Sequence, residues 1–169
     1  MQLPDAEQLL ERLAESIRAD LREDTCLVGI HTGGVWVARR LHALLGLRTP
    51  LGSVHVAFYR DDYKKKGLSA GVRPSELTFD VDDAHIILVD DVLYTGRTIR
   101  AAMNEIFDFG RPTSIRLAAL VDRGERQLPI CPQYLGAQLS VPRDRLVQLR
   151  SDAESGRLSL ELVEREGGA

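Results

Sequence analysis

The strongest constraint on the fold of this chain is an aliphatic run that stops at two carboxylates. Residues 86–89 are all Ile, Leu or Val, and Asp90 and Asp91 follow without a break. Four aliphatic residues in a row are typical of an interior parallel strand, because both faces of such a strand are covered. The sequence therefore predicts an α/β fold in which this strand ends at the carboxylates and opens there onto solvent. Open α/β sheets bind their ligands at this edge.

The polar residues after this strand suit a phosphate group. Thr95, Gly96 and Thr98 lead into a helical run, and free backbone N–H groups at a helix N-terminus bind phosphate monoesters. Because carboxylates repel phosphate, Asp90 and Asp91 need another task. They can accept hydrogen bonds from a sugar diol or hold Mg²⁺ through water. A diol and a phosphate together predict a ligand with a 5-phosphoribosyl group.

Composition narrows the class of protein. The chain has 169 residues, 44% apolar and 28% charged, which predicts one domain over residues 1–169 with a proper core. The formal charge of −3 leaves no overall basic field, so nucleic-acid binding would need a local cluster of cations. Without a long apolar run or a signal-like N-terminus, the expected location is the cytoplasm, away from membranes. Cys26 and Cys131 lack metal-ligand spacing, and Cys26 reads as a small buried side chain.

Alternating strand and helix patterns predict a mainly parallel sheet with helices on both faces. Asp5 and Gln8 resemble a capping box for a first helix with Leu10, Leu13, Ile17 and Leu21 on its inner face. A third helix, marked by Ile99, Met103, Ile106 and Phe107, is expected to end at Gly110. The remaining predicted elements are strands at 26–30, 54–59, 115–121, 134–136, 146–149 and 158–163, and a helix at 35–45 after a tight loop at 31–34.

Two regions interrupt this alternation. Residues 60–76 are charged and rich in Gly and Pro without periodicity, which favours a flexible lid loop over a linker. The prolines within residues 128–132 exclude a central strand there. The short strands within about 124–169, together with the N-terminus, are predicted to form a small hood, and residues 164–169 are expected to fray.

The motif around Asp90 can also be interpreted as purely structural. A strand can end in exposed acids, and a Thr-Gly turn can simply cap the next helix. The chain contains neither GxxxxGK[ST] nor a GxGxxG after its first strand, so the nucleotide triphosphatase and dinucleotide-binding classes are excluded. The uninterrupted succession of hydrophobic strand, paired acids and TGRT favours a functional site.

These residues resemble a known family. The run VDDVLYTGRTIRAA, from Val89 to Ala102, is similar to the phosphoribosyl-pyrophosphate (PRPP) fingerprint of the type I phosphoribosyltransferases. Four further segments resemble the PyrR family within that superfamily, namely YRDD at 59–62, GRP at 110–112, LVDRG at 120–124 and LPI at 128–130. The resemblance runs in order from about residue 28 to residue 136.

The resemblance implies conversion of uracil and PRPP to UMP and pyrophosphate, with Mg²⁺ bound together with PRPP. It also implies a uridine-nucleotide-responsive regulator that binds an mRNA leader, and a homo-oligomer, a dimer or larger. Asp90 and Asp91 would hold the ribose hydroxyls, and Arg60 in the lid would act on pyrophosphate. PRPP and phosphate contacts would come from Thr32, Gly33, Gly34, Val92, Leu93, Tyr94, Thr95, Gly96, Arg97 and Thr98, with Arg97 pointing outward or to the phosphate rim. The base would lie near Val121, Asp122 and Arg123.

The chain departs from the family at two places. His31, Thr32, Gly33 and Gly34 stand where members usually carry a basic residue followed by Thr-Arg-Gly. The missing arginine removes a contact of about 1.5–3 kcal/mol, so weak catalysis is one expectation. Glu125 stands where members usually have His. His31 is expected to be hydrogen-bonded, His42, His55 and His85 to be packing or surface residues, and Trp36 to lie in the core or an interface.

Alternative functions stay open at this point. One is a weakly catalytic or non-catalytic nucleotide-sensing transcription attenuator. Another is a phosphoribosyltransferase for a purine or orotate. RNA binding needs a basic face, and the arginines of the first helix region and of the tail are interspersed with acids; these are Arg12, Arg18, Arg22, Arg143, Arg145 and Arg150.

Overall fold

The computed structural model describes residues 2–56 and 74–165. The predicted strand residues 57–59, lid residues 60–73 with Arg60, and tail residues 166–169 lie outside this part of the chain. The elements within it are α1 (Ala6–Arg18), β1 (Thr25–Ile30), α2 (Gly33–Leu45), β2 (Gly52–Val54), β3 (His85–Leu93), α3 (Arg97–Phe109), β4 (Ser114–Asp122), β5 (Tyr134–Gln138), β6 (Arg145–Ser151) and β7 (Leu158–Glu164). None of these helices is long and apolar enough to cross a membrane.

The main sheet has five parallel strands in the order β2-β1-β3-β4-β5. Side chains alternate between its faces. Leu27 and Ile87 pack with α1 and α2 on one face, whereas Val28 and Leu88 pack with α3 on the other. The predicted parallel sheet with helices on both faces is confirmed.

Strand β3 is longer than the aliphatic run suggested. It continues through the two carboxylates to Leu93, and Asp90 pairs with Ala119 of β4. Asp90 is only 3% exposed, whereas Asp91 and Val92 are half-buried, so the end of the strand becomes partly exposed after this first carboxylate rather than at it. Asp90 lies within the sheet beside β4, and its Cα is close to the start of α2, a placement that hydrophobicity alone cannot reveal.

Helix α1 begins where its cap predicts, whereas α2 begins at Gly33, within the segment predicted as a loop at 31–34, and two residues predicted on helix faces are placed differently. The Asp5 carboxylate accepts hydrogen bonds from the backbone N–H groups of Glu7 (2.8 Å) and Gln8 (3.2 Å). Helix α1 ends at Arg18, so Leu21 lies beyond it, although it still packs against the core. Phe107 of α3 is 54% exposed, because the buried face is centred on Ala102 and Ile106 and residue 107 lies about 100° further round the helix.

The segment predicted as a hood divides into two parts. Strand β5 joins the main sheet beside β4, and only β6 and β7 form a separate antiparallel pair. Helix α1 packs on β5, β4 and α2 and also contacts β7. Among residues 126–133, none belongs to a strand, as the prolines predicted. Trp36 is half-buried against the core formed with α1.

Candidate active site

The acid pair lies at the carboxyl end of β3. Asp90 is buried, and its Oδ1 accepts a hydrogen bond from the backbone N–H of Asp91 at 3.0 Å. Asp91 is half-buried. Its carboxylate lies against the first residue of α2, because a Cβ built on Gly33 would stand 2.2 Å from the Asp91 Oδ2. The two carboxylates therefore have different surroundings, one enclosed in the sheet and one beside a helix N-terminus.

Two glycines let α2 start directly against β3. A Cβ on Gly34 would lie 2.5 Å from the carbonyl oxygen of Val89 and 3.2 Å from the Asp90 Cα. Thr32, whose peptide bond with His31 is cis, precedes the helix without a side-chain capping bond among the described residues, and the first turn carries no acid. Backbone N–H groups at such a helix start suit an anion. The structure thus brings Gly33 against Asp91 and Gly34 against Val89 and Asp90, with Thr32 preceding them in the chain.

Residues 94–98, called the phosphate loop below, connect β3 to α3. Gly96 caps α3 with a φ of 91°, a conformation that favours glycine. The Thr95 side chain is buried, and its Oγ1 accepts a hydrogen bond from the Arg97 N–H at 3.2 Å. Arg97 is exposed and donates through Nε to the Gln127 Oε1 at 2.8 Å. Thr98 is half-buried in the first turn of α3.

Val92 and Leu93 are placed differently from the loop. Both are strand residues, paired with Val121 and Asp122 of β4. Leu93 is 1% exposed, and its carbonyl oxygen accepts a hydrogen bond from the Arg123 N–H at 3.0 Å. The structure therefore does not bring these two residues into the phosphate loop.

Tyr94 is held by side chains that follow β4. Its hydroxyl donates to the Glu125 Oε2 at 2.9 Å, and the Arg123 guanidinium carbon lies 4.2 Å from its ring centroid. Arg143 donates to the Glu125 Oε1 at 3.0 Å. The hydrogen bonds from Arg143 and Tyr94 hold the pKa of Glu125 below its ordinary value. Glu125, where the family usually has His, thus joins the phosphate loop to the segment before β6.

The predicted base-binding residues lie at the end of β4 and are all buried. The Asp122 carboxylate is already engaged, since Oδ1 accepts from the Gly124 N–H (2.9 Å) and Oδ2 from the Arg126 Nη2 (2.6 Å). Arg123 donates from Nη1 to the carbonyl oxygen of Arg145 at 3.2 Å. Its Nε and Nη2 have no hydrogen-bond partner among the described residues. The unpaired polar groups at this point of the sheet are therefore donors, enclosed by the protein, rather than the Asp122 carboxylate.

Two of the four histidines contact groups away from the acid pair. His42 Nε2 contacts the carbonyl oxygen of Thr49 at 2.7 Å, and His85 Nδ1 contacts the Ser114 Oγ at 3.0 Å. The rings of His31 and His55 lie 5.8 Å apart. Within residues 2–56 and 74–165, no group of three or more His, Cys, Asp or Glu residues is arranged to hold a metal ion.

Sequence reasoning missed Arg126 and Gln127, which contact the phosphate loop from behind. They lie in a segment without periodicity, so no local pattern marks them. The one available signal was the similarity of the neighbouring segments, 120–124 and 128–130, to one family.

Comparison with known proteins places this geometry in context. The family described as "Phosphoribosyl transferase domain" matches residues 2–135. A "Bifunctional protein PyrR" of Pseudomonas paraeruginosa is 52% identical over 153 residues, covering 88% of this chain and 90% of the relative. A protein of the same name from Ralstonia nicotianae is 51% identical, covering 89% of this chain and 88% of the relative.

Solved structures show the same fold. A hypoxanthine-guanine phosphoribosyltransferase from Bacillus anthracis superposes with a TM-score of 0.66 at 19% identity, covering 83% of this chain and 84% of that one. A purine phosphoribosyltransferase from Pyrococcus horikoshii gives 0.59 at 25% identity, with coverage of 79% and 82%.

Proposed function

This chain belongs to the PyrR family of proteins with a phosphoribosyl transferase domain, and on that premise we propose that it converts uracil and PRPP to UMP and pyrophosphate. The observation that carries the proposal is the adjacency of three features at one sheet edge. These are the acid pair of β3, the phosphate loop that follows it, and the glycine start of α2.

The roles follow from the charges of the reaction. The bond from ribose C1 to pyrophosphate breaks through a cationic state, so the site must stabilise a departing polyanion and a developing positive charge. Asp90 and Asp91 accept hydrogen bonds from the ribose hydroxyls and lie near that positive charge. The backbone N–H groups of the phosphate loop bind the 5-phosphate, and those of Gly33 and Gly34 receive pyrophosphate.

The donor set fits Mg²⁺ bound together with PRPP. Mg²⁺ is usually held by one or two carboxylates, waters and substrate phosphates rather than by a protein cage, and this edge offers two carboxylates and no cluster of three ligands among the described residues. Asp90 and Asp91 would hold it, at least in part through water. When bound, it neutralises charge on the departing pyrophosphate. Arg60 is proposed to act on the same group from residues 60–76, most of which lie outside the described part of the chain.

The choice of base is a separate part of the proposal. The relatives named PyrR favour a pyrimidine, whereas the structural neighbours named above act on purines. Because the Asp122 carboxylate is already paired, we assign base recognition to backbone groups of Val121 and Asp122 and to the donors of Arg123. Donors suit the carbonyl oxygens of uracil. A phosphoribosyltransferase for another base is the alternative.

A radiolabelled-base assay with PRPP and Mg²⁺ tests the proposal. Uracil should be converted to UMP, and orotate, hypoxanthine and guanine should not. Asp90→Asn and Asp91→Asn should each lower kcat by about 10²-fold or more, since charge stabilisation of this kind contributes at that level. Asp108→Asn, at an exposed position of α3, is the matched control and should retain full activity. Wild-type protein that converts only another base, or Asn variants that keep kcat, would reject the assignment.

The name of the relatives, "Bifunctional protein PyrR", supports a second function. We propose that UMP bound at the same site favours a form that binds an mRNA leader. Some arginines outside the site are paired with acids, as Arg150 is with Glu161 and Arg145 with Glu164, so RNA binding would use a local cluster of the other cations. Filter binding of the leader transcript should show UMP-enhanced, salt-sensitive affinity. No binding at low salt would leave catalysis as the sole function, and binding without turnover would favour the non-catalytic attenuator.

A further inference from the structure

The segment after β4 supports the phosphate loop from behind. The Arg126 guanidinium donates three hydrogen bonds from its three nitrogens. Nη1 donates to the carbonyl oxygen of Tyr94 (2.6 Å), Nη2 to the Asp122 Oδ2 (2.6 Å) and Nε to the carbonyl oxygen of Ile130 (2.8 Å). Its side chain is 22% exposed. Arg126 thus joins the phosphate loop, the end of β4 and the next turn of the chain.

A second carbonyl of the phosphate loop is held in the same way. The backbone N–H groups of Gln127 and Leu128 both donate to the carbonyl oxygen of Thr95, at 3.0 and 3.3 Å. The loop is also in close contact with this segment, since a Cβ on Gly96 would lie 3.4 Å from the Arg126 Cδ and the Ile130 Cβ. Residues 126–130 are called the backing segment below.

The direction of these carbonyls fixes the direction of the neighbouring N–H groups. In a planar trans peptide, the C=O of one residue and the N–H of the next point to opposite sides. The carbonyl of Tyr94 points to Arg126, so the N–H of Thr95 points away from the backing segment. The carbonyl of Thr95 points to Gln127 and Leu128, so the N–H of Gly96 points away as well.

We propose that Arg126 is a positioning residue for the phosphate loop. It touches no substrate; it holds the carbonyl of Tyr94 so that the N–H of Thr95 is directed at the bound phosphate, and Asp122 in turn orients the guanidinium. The inference rests on the proposed function, in which this loop binds the 5-phosphate. Only arginine suits the position, because three acceptors lie around a planar fork of donors that the single ammonium of lysine cannot reproduce.

The test measures phosphate binding apart from stability. Arg126→Gln and Arg126→Lys are compared with wild type for the Kd of ribose 5-phosphate and of UMP by calorimetry, the KM for PRPP, kcat and Tm. The matched control is Arg116→Gln. Arg116 is also engaged by side chains, Tyr134 (2.8 Å) and Asp20 (3.2 Å), but it lies near the opposite, amino edge of the sheet.

Arg126→Gln should raise the Kd of ribose 5-phosphate and the KM for PRPP about 10-fold, the equivalent of 1.4 kcal/mol. Arg126→Lys should fall between this variant and wild type, because it restores one of the bonds. Arg116→Gln should lower Tm with both constants unchanged. If Arg126→Gln cannot be purified folded, Arg126→Lys alone decides the question by the same constants.

The outcomes separate this inference from the proposed function. If the wild-type protein makes no UMP but binds ribose 5-phosphate, and the Arg126 variants bind it less tightly, the proposed function is rejected and the positioning role is supported. Active wild-type protein whose Arg126 variants lose Tm, with Kd and KM within twofold of wild type, would overturn the positioning role and leave the function. Wild-type protein that binds no phosphate monoester would overturn both.

Discussion

Two adjacent glycines at the start of α2 provide a sharp test of how the site is built. Gly34→Ala would place a Cβ 2.5 Å from the carbonyl oxygen of Val89, and an ordinary contact begins at 3.4 Å. The helix start must therefore withdraw from β3 by about 0.9 Å, because the atoms it meets are backbone and cannot rotate away. Gly33→Ala meets the Asp91 carboxylate instead, at 2.2 Å. The carboxylate of Asp91 can rotate away from the added methyl, whereas the backbone of β3 cannot.

The Gly34→Ala variant should consequently lose both stability and activity, whereas the Gly33→Ala variant should lose mainly activity. Overpacking against backbone costs about 1–3 kcal/mol. A chain of this length loses roughly 2–4 °C in Tm per kcal/mol, so Gly34→Ala should melt roughly 2–12 °C lower. Moving the helix start by about 1 Å relative to Asp90 should also lower kcat/KM by about 10²-fold. Gly33→Ala should keep nearly the wild-type Tm and lose activity only through the displaced Asp91.

Calorimetric melting and the uracil assay on both variants check this reasoning. The double variant Gly33→Ala with Asp91→Ala isolates the contact with the carboxylate, since only the Cβ of residue 91, at 3.0 Å, then remains near the added methyl. In that background Gly33→Ala should have no further effect on kcat. A Tm for Gly34→Ala within 1 °C of wild type, or equal losses of Tm in both glycine variants, would refute the argument that α2 rests directly on β3.

Two further predictions concern stability and thiol chemistry. Burial alone raises the pKa of Glu7, but the hydrogen bonds from Arg40 and the Leu158 N–H, with the charges of Arg40 and Arg157, hold that pKa below its ordinary value. Its contribution to stability is therefore present at neutral pH and lost on acidification. Glu7→Gln should cost about 1–2 kcal/mol at pH 7 in urea unfolding, and the difference should shrink as the pH falls below the ordinary pKa of a glutamate. Glu15→Gln, whose side chain is 77% exposed beside Arg18, should stay within about 0.5 kcal/mol; equal effects of both substitutions would contradict this. Burial raises the pKa of the Cys26 thiol, while Cys131 is exposed, so a thiol reagent should titrate one cysteine in the native protein and two after denaturation, and two at once would show that Cys26 is accessible.

The order of elements could be predicted from local patterns, for reasons visible in particular residues. The aliphatic runs of β1, β3 and β4 are buried on both faces, and such strands leave a signal in any sequence. Asp5 and Gly110 mark helix ends, because helix capping depends on residues that are close together in the sequence. The exposed Phe107 shows where prediction from local patterns fails. For a residue at the margin of the apolar face of a helix, tertiary packing decides whether the side chain is buried.

The site was predicted in outline and not in detail. The acid pair, the loop and the glycines share one edge because parallel strands bring their carboxyl ends together. The burial of Asp90, the contact of Asp91 with Gly33 and the engagement of Asp122 by Arg126 join residues distant in the chain. No period or spacing encodes such contacts, so only the tertiary structure reveals them.

The hydrogen bond between Arg126 and Tyr94 spans 32 positions of the chain. A chimera that imports residues 94–98 from a homologue would inherit the loop without the scaffold that orients its amides. Grafting would have to carry both stretches, and natural variation at one should be accompanied by compensating variation at the other.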